Sequence, residues 1–327
     1  MLEKDGRCFG EVLKIVMNDI ALALGGGGAK GHAHIGVIRV LEREGFNIRA
    51  ISGTSAGGLW GAFYAAGYSA QEIEQRMHQG QRDDLYARKS NEDPAMLGLA
   101  GLEDLLVETL GERNFEDLRI PFAVTAVDIN TAEAIVLRRG RVRDALLATI
   151  AVPGIFPPRS FNGRVLIDGG VLDPVPVNLA RELAPGLPVV AVVLSPPIDE
   201  WVKPSPPRLL DSLPFLSTYF SRLRIARAFN IFLRSVDIGG AMLTELRLEL
   251  DRPEVIIRPE VPHIGLLDDV DGREVAELGA LAAELALPDL RRAVGWRSRL
   301  SRRVYSRRLR PWGTLTSNNN FRLSKDV

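Results

Sequence analysis

Five apolar residues in succession, Ile20, Ala21, Leu22, Ala23 and Leu24, run directly into Gly25-Gly26-Gly27-Gly28-Ala29-Lys30-Gly31. A continuous apolar run without polar alternation suits a strand covered on both faces, as in the parallel sheets of α/β proteins. The next residues meet the same demand. His34, Ile35, Val37, Ile38, Val40 and Leu41 recur at helical spacing until Gly45, and residues 48–52 supply a second predicted strand run. That run ends in Gly53-Thr54-Ser55-Ala56-Gly57, after which a helix is predicted over residues 56–66, stopped by Gly67. The result is a βαβα opening with both turns at the C-terminal ends of parallel strands, where open α/β sheets bind their ligands. Two loops are therefore predicted to converge on one crevice.

Ser55 sits at the centre of a Gly-x-Ser-x-Gly turn between a strand and a helix. Glycines two before and two after it tolerate tight backbone angles, and the hydroxyl would face a helix N-terminus that favours negative charge. That is a nucleophile's position. Taken alone, the motif fits an ordinary Gly/Ser turn as well.

Further strands are predicted over residues 121–128, 164–168, 189–194 and 254–257, and helices over 142–151 and 273–287, with a polar helical stretch from 69 to 117. The strand at 164–168 ends in Asp168-Gly169-Gly170. Residues 196–214 are proline-rich and read as a loop or lid. Residues 213–233 place Phe215, Tyr219, Phe220, Phe229 and Phe232 among Arg222, Arg224 and Arg227, a pattern that suits either an anionic membrane surface or, more commonly, a helix packed on a core. Residues 1–18 form an N-terminal extension without a clear partner in this pattern; Met17 is a conceivable start, and the segment is expected to be expendable to function.

An apolar content of 46% with 25% charge disfavours disorder and coiled coil. The single cysteine, Cys8, rules out a disulfide framework and a cysteine metal cluster and fits a reducing, cytoplasmic compartment. Four histidines argue against a histidine-rich metal site, and residues 1–19 lack the apolar core of an export signal. The uncharged run at 50–71 is nominally long enough to span a bilayer, but its Gly, Ser, Thr and Ala content marks a strand and a buried helix. The formal net charge of zero conceals an asymmetry. Residues 291–327 form a basic tail containing Arg291, Arg292, Arg297, Arg299, Arg302, Arg303, Arg307, Arg308 and Arg310. Such a tail favours anionic surfaces, membrane or nucleic acid, or is a solvated appendage; no nucleic-acid recognition motif accompanies it, so peripheral contact with an anionic membrane is the expected use and no nucleic-acid partner is expected.

Gly26, Gly28 and Gly31 satisfy Gly-x-Gly-x-x-Gly, but the acid that a dinucleotide site requires at the end of the second strand is replaced by Ser52-Gly53-Thr54-Ser55. A phosphate-binding P-loop fails too, because Gly31 follows Lys30. The same glycines suit an oxyanion hole built from backbone amides. A serine nucleophile also needs a base. His32 and His34 lie two apart in the first helix and cannot act together, so packing or capping is their expected role. His263 is the one histidine after Asp168. Asp168, at a strand end, is the better candidate, giving a Ser-Asp dyad; Asp128 and Asp173 compete with it.

The glycine loop 26–31, Gly53-Thr54-Ser55-Ala56-Gly57 and Asp168-Gly169-Gly170, in that order, resemble the three signatures of the patatin-like phospholipase family. The flanking residues 29–37 and 151–158 also resemble its bacterial members. The likeness spans residues 19–290. It implies a three-layer α/β/α fold with a mostly parallel central sheet, related to the catalytic domain of cytosolic phospholipase A2. It further implies a serine acyl-ester hydrolase of phospholipids, lysophospholipids or neutral lipids that needs no metal or other cofactor. Carried over residue by residue, Ser55 is the nucleophile, Asp168 the base, and the amides of Gly26, Gly27 and Gly28 the oxyanion hole, with Gly31, Gly53, Gly57, Gly169 and Gly170 completing the motifs. A non-catalytic scaffold that keeps the fold is the alternative, and intact motifs weigh against it.

Overall fold

The computed structural model describes residues 18–79, 97–198, 220–295 and 298, leaving the side chains of 77–79 and 220–230 aside. The N-terminal extension, nearly all of the predicted loop or lid at 196–214 and most of the basic tail lie outside these residues. Among them, eight strands join in one sheet: β1 (Asp19–Leu24), β2 (Asn47–Gly53), β3 (Phe122–Asp128), β4 (Glu133–Leu137), β5 (Arg159–Phe161), β6 (Arg164–Asp168), β7 (Val189–Val192) and β8 (Val255–Ile257). The helices are α1 (Ala33–Arg43), α2 (Ala56–Ala65), α3 (Ala70–Gln79), α4 (Ala100–Leu110), α5 (Val142–Thr149), α6 (Val177–Leu183), α7 (Phe220–Asp251), α8 (Gly272–Leu285) and α9 (Leu287–Val294).

Five strands, in the order β3-β2-β1-β7-β8, run parallel, so the sheet is mostly parallel as expected. The apolar alternation of β1 explains the layers. Ile20, Leu22 and Leu24 enter a cluster with Ile35, Ile38, Trp60, Phe63 and Ala276, from α1, α2 and α8 on one face. Ala21 and Ala23 meet Val177, Ala180 and Leu248, from α6 and α7 on the other. Burial of these side chains is the main favourable term, at about 25 cal/mol per Å² of apolar surface.

The register of β3 positions the site. Its Val124 pairs with Gly53 of β2 and with Leu137 of β4, while Ala126 pairs with Ile135 of β4 and with Asp168 of β6. A strand has two edges, so β6 must take the edge that β2 vacates. Asp168 therefore arrives beside the turn that follows Gly53.

The structure adds elements that the sequence pattern hides. Strand β4 is an exposed edge and β5 is three residues long, so neither carries a periodic apolar signal. Helix α6 follows Pro174 and Pro176 and reads as loop. Helix α7 continues through Gly239-Gly240, which usually cost a helix about 1 kcal/mol each, because Ala241, Thr244 and Leu248 beyond them are buried. At the C-terminal end, Leu290, Ala293 and Val294 of α9 are buried, so packing continues past the expected boundary at residue 290. The guanidinium of Arg291, the first residue assigned to the tail, pairs with Glu44 at 2.8 Å. Among the described residues no helix is long and apolar enough to cross a membrane.

Candidate active site

Ser55 occupies φ 53, ψ −124 at the start of α2, a positive φ that L residues rarely adopt and that costs of order 1–3 kcal/mol. Neighbouring groups hold it there. The Ser55 amide donates to Thr149 Oγ1 at 2.9 Å, and that hydroxyl donates to the Thr125 carbonyl at 2.6 Å. Thr54 Oγ1 donates to the Asp173 carbonyl at 2.9 Å, which leaves Thr125 Oγ1 to donate to Thr54 Oγ1 across 2.7 Å. Gly57 is required next: a Cβ there would lie 2.2 Å from the Leu24 carbonyl oxygen. The turn is thus clamped between the end of β1, the middle of β3 and the end of α5.

Asp168 ends β6, where its Oδ1 accepts the Gly170 amide at 2.7 Å. Ser55 and Asp168, each 6% exposed, line the same cavity. Burial pushes the Asp168 pKa from the usual 3.8 up to about 6, with Ser55 and the Gly170 amide opposing the rise. A carboxylate of that basicity is suited to taking a proton near neutral pH.

The glycine loop lies opposite. The Gly25 amide continues the β1–β7 ladder to the Val192 carbonyl at 3.0 Å, and the Gly26 amide donates to the Pro174 carbonyl at 3.0 Å. Of the three candidate oxyanion amides, Gly26 is therefore already engaged in this structure. Gly28 needs its freedom, since it has φ +56 and a Cβ there would lie 2.1 Å from the Leu266 carbonyl oxygen. Lys30 enters the same cavity, its pKa lowered chiefly by burial, with Asp237 and Asp268 opposing that shift.

The competing residues have other work. His34 is fully buried, and its Nε2 donates to the Gly25 carbonyl at 2.8 Å; burial pushes its pKa down to about 4, so the ring is a neutral brace for the loop. His32 Nδ1 donates to the Ala29 carbonyl at 2.8 Å. His263 is exposed and does not line the cavity. Asp128 caps the Asn130 amide at 3.1 Å and pairs with Arg164 at 3.2 Å. Asp173 pairs with Arg247 at 3.2 Å.

Ser55 and Asp168 open on a cavity of about 620 Å³ that extends from these two residues to α7. Its wall is mainly apolar, with Val175, Leu194, Phe232 and Leu243 prominent. That size and lining suit an organic ligand with a long apolar part. Among the described residues, no group of three or more His, Cys, Asp and Glu side chains is gathered as a metal would require. Sequence reasoning missed Thr149, Thr125 and the Pro174 carbonyl; a lone threonine ending a short helix carries no signal that it meets a distant turn.

A model of the patatin-like phospholipase family matches residues 22–181, which include all three motifs. An uncharacterized NTE family protein of Mycobacterium tuberculosis is 36% identical over 159 residues, covering 48% of this chain and 44% of that protein. A second from the same organism is 31% identical over 296 residues, covering 85% of this chain and 48% of that protein. Patatin-like phospholipase domain-containing protein 6 of Mus musculus is 30% identical over 173 residues, covering 51% of this chain and 13% of that protein. The chain thus spans about half the length, or less, of these curated relatives. The crystal structure of VipD from Legionella pneumophila superimposes with a TM-score of 0.49 at 14% identity, covering 84% of this chain and 67% of that one.

Proposed function

On the premise that residues 22–181 place this chain in the patatin-like phospholipase family, we propose that it hydrolyses acyl esters of lipids through a Ser55–Asp168 dyad. The observation that carries the reading is that Ser55, held at φ 53, and the buried Asp168 carboxylate together line one largely apolar cavity.

In this mechanism an acyl chain lies in the cavity with its ester carbonyl at Ser55. Ser55 Oγ attacks the carbonyl carbon while its proton passes to Asp168. The resulting oxyanion takes hydrogen bonds from the glycine loop, with the amides of Gly27 and Gly28 as donors and that of Gly26 joining if it leaves Pro174. Collapse of the intermediate expels the alcohol, which takes the proton back from Asp168, and leaves an acyl-serine. Water then attacks the acyl carbon and gives its proton to Asp168. Collapse breaks the ester bond, and the returning proton restores the Ser55 hydroxyl as the fatty acid departs. Asp168 thus acts alternately as base and acid.

Phospholipid, lysophospholipid or another acyl ester is the substrate class. The arginine-rich residues beyond 290 would favour peripheral binding at an anionic membrane face; vesicle binding left unchanged by deletion of residues 296–327 would remove that part of the reading. For the chemistry, a fluorophosphonate probe should label Ser55 in the folded protein. Absence of labelling would instead favour a non-catalytic scaffold.

A further inference from the structure

The segment from Asp168 to Pro176 holds every loop of the site. The Asp173 amide donates to the Gly169 carbonyl at 2.8 Å, and its own carbonyl accepts Thr54 Oγ1 at 2.9 Å. The Pro174 carbonyl accepts the Gly26 amide at 3.0 Å, and the Pro176 carbonyl accepts Ser52 Oγ at 2.7 Å. One short stretch therefore touches the residue after the base, the residue before the nucleophile and the glycine loop. A displacement of Asp173 would be felt at all three.

The Asp173 side chain leaves this network for α7. Arg247 Nη2 lies 3.2 Å from Asp173 Oδ1 and 3.1 Å from Oδ2 of Asp251, whose Oδ1 accepts Asn178 Nδ2 at 2.6 Å. The three side chains are 20%, 14% and 1% exposed for Arg247, Asp173 and Asp251, so the cluster is largely removed from water. Breaking such a pair leaves a buried charge uncompensated, unlike the loss of a surface pair. Burial raises the Asp173 pKa to about 7, with Arg247 opposing and Asp251 adding to the rise. Without the guanidinium, two carboxylates would be left near each other. The helix that carries Arg247 also supplies Phe232, Val236 and Leu243 to the cavity wall.

We propose that Arg247 is a positioning residue for the Ser55–Asp168 reaction: by holding Asp173 it fixes the 168–176 segment and couples the cavity-wall helix to the geometry of the dyad and the glycine loop. The inference rests on the dyad reading above. A misplacement of about 1 Å at a reacting group can lower a rate by about 100-fold.

The test uses the full chain. Second-order labelling of Ser55 by a small fluorophosphonate, and kcat and KM for a short p-nitrophenyl ester, are measured for wild type, Arg247→Met, Arg247→Lys and Asp173→Asn, each per folded molecule by circular dichroism. Arg247→Met should lower the labelling rate and kcat by about 30- to 100-fold with KM nearly unchanged, and Arg247→Lys should recover most of that loss. Should Arg247→Met fail to fold, Asp173→Asn carries the test, with kcat expected to fall by about tenfold at constant KM. A lower melting temperature with wild-type labelling and kcat overturns the inference, as does a Lys variant no better than Met. Wild type that labels while the variants match it leaves the dyad standing and removes only Arg247; wild type that fails to label removes both.

Discussion

The backbone amide of Ser55 donates to the hydroxyl of Thr149 at 2.9 Å, and this bond reaches from α5 to hold a serine at φ 53. Thr149→Val keeps the shape but removes both that acceptor and the donor to the Thr125 carbonyl. A buried amide left unpaired costs about 1–3 kcal/mol. The expected outcome is a lower urea midpoint together with about a tenfold fall in kcat, whereas Thr149→Ser should stay close to wild type in both.

Ser55→Ala deletes the proposed nucleophile and should lower ester hydrolysis by about four orders of magnitude or more, as for serine enzymes whose nucleophile is removed. Hydrolysis of a p-nitrophenyl ester or a lysophospholipid by folded protein is the measurement. Asp168→Asn should fall nearly as far. Full activity in the first variant would end the mechanism, and a mild loss in the second would return attention to Asp173 or Asp128.

Activity should depend on the ionisation of Asp168. Its pKa is raised to about 6, and only the carboxylate can accept the serine proton. Plots of kcat/KM for a neutral ester should therefore rise with pH through about 6 and level off above it. A flat profile from pH 5 to 8 would exclude Asp168 as the base.

The raised pKa of Asp168 also gives a stability prediction with a definite sign. The folded pKa, about 6, lies above the ordinary 3.8, so the contribution of the protonated form is fully present below about 4 and is lost as the pH rises through 6. Above pH 6 the buried carboxylate then costs the folded state about 3 kcal/mol. Asp168→Asn should melt higher than wild type at pH 8, with the gap shrinking steadily as the pH falls toward 4. An equal gap at both ends would show that the cost is not electrostatic.

Gly28→Ala tests the glycine loop. The new methyl would lie 2.1 Å from the Leu266 carbonyl oxygen at a φ of +56, so the loop must shift. Loss of one oxyanion donor is worth about two to three orders of magnitude in kcat, and a fall of that size in ester hydrolysis is expected. Unchanged turnover would place the oxyanion elsewhere.

Much of this protein is legible in its residues alone. The apolar run 20–24 required a strand covered on both faces, and the motifs around Gly26, Ser55 and Asp168 pointed to the proposed chemistry, because glycine turns and strand-end acids are local signals. What lay beyond reach was whatever depends on two distant segments meeting. Strand β4 is an exposed edge and α6 a short helix after prolines, so neither has a pattern of its own. Helix α7 overrides its two glycines through burial further along. Thr149 and Arg247 look like any helical residues until the fold sets one against Ser55 and the other against Asp173. Local residue patterns alone put a serine turn, an acid and a glycine loop at the ends of strands. It takes the folded sheet to set β6 on the edge of β3 that β2 leaves, and so to bring Asp168 to the cavity that Ser55 lines, because a strand edge can pair with only one neighbour at a given residue.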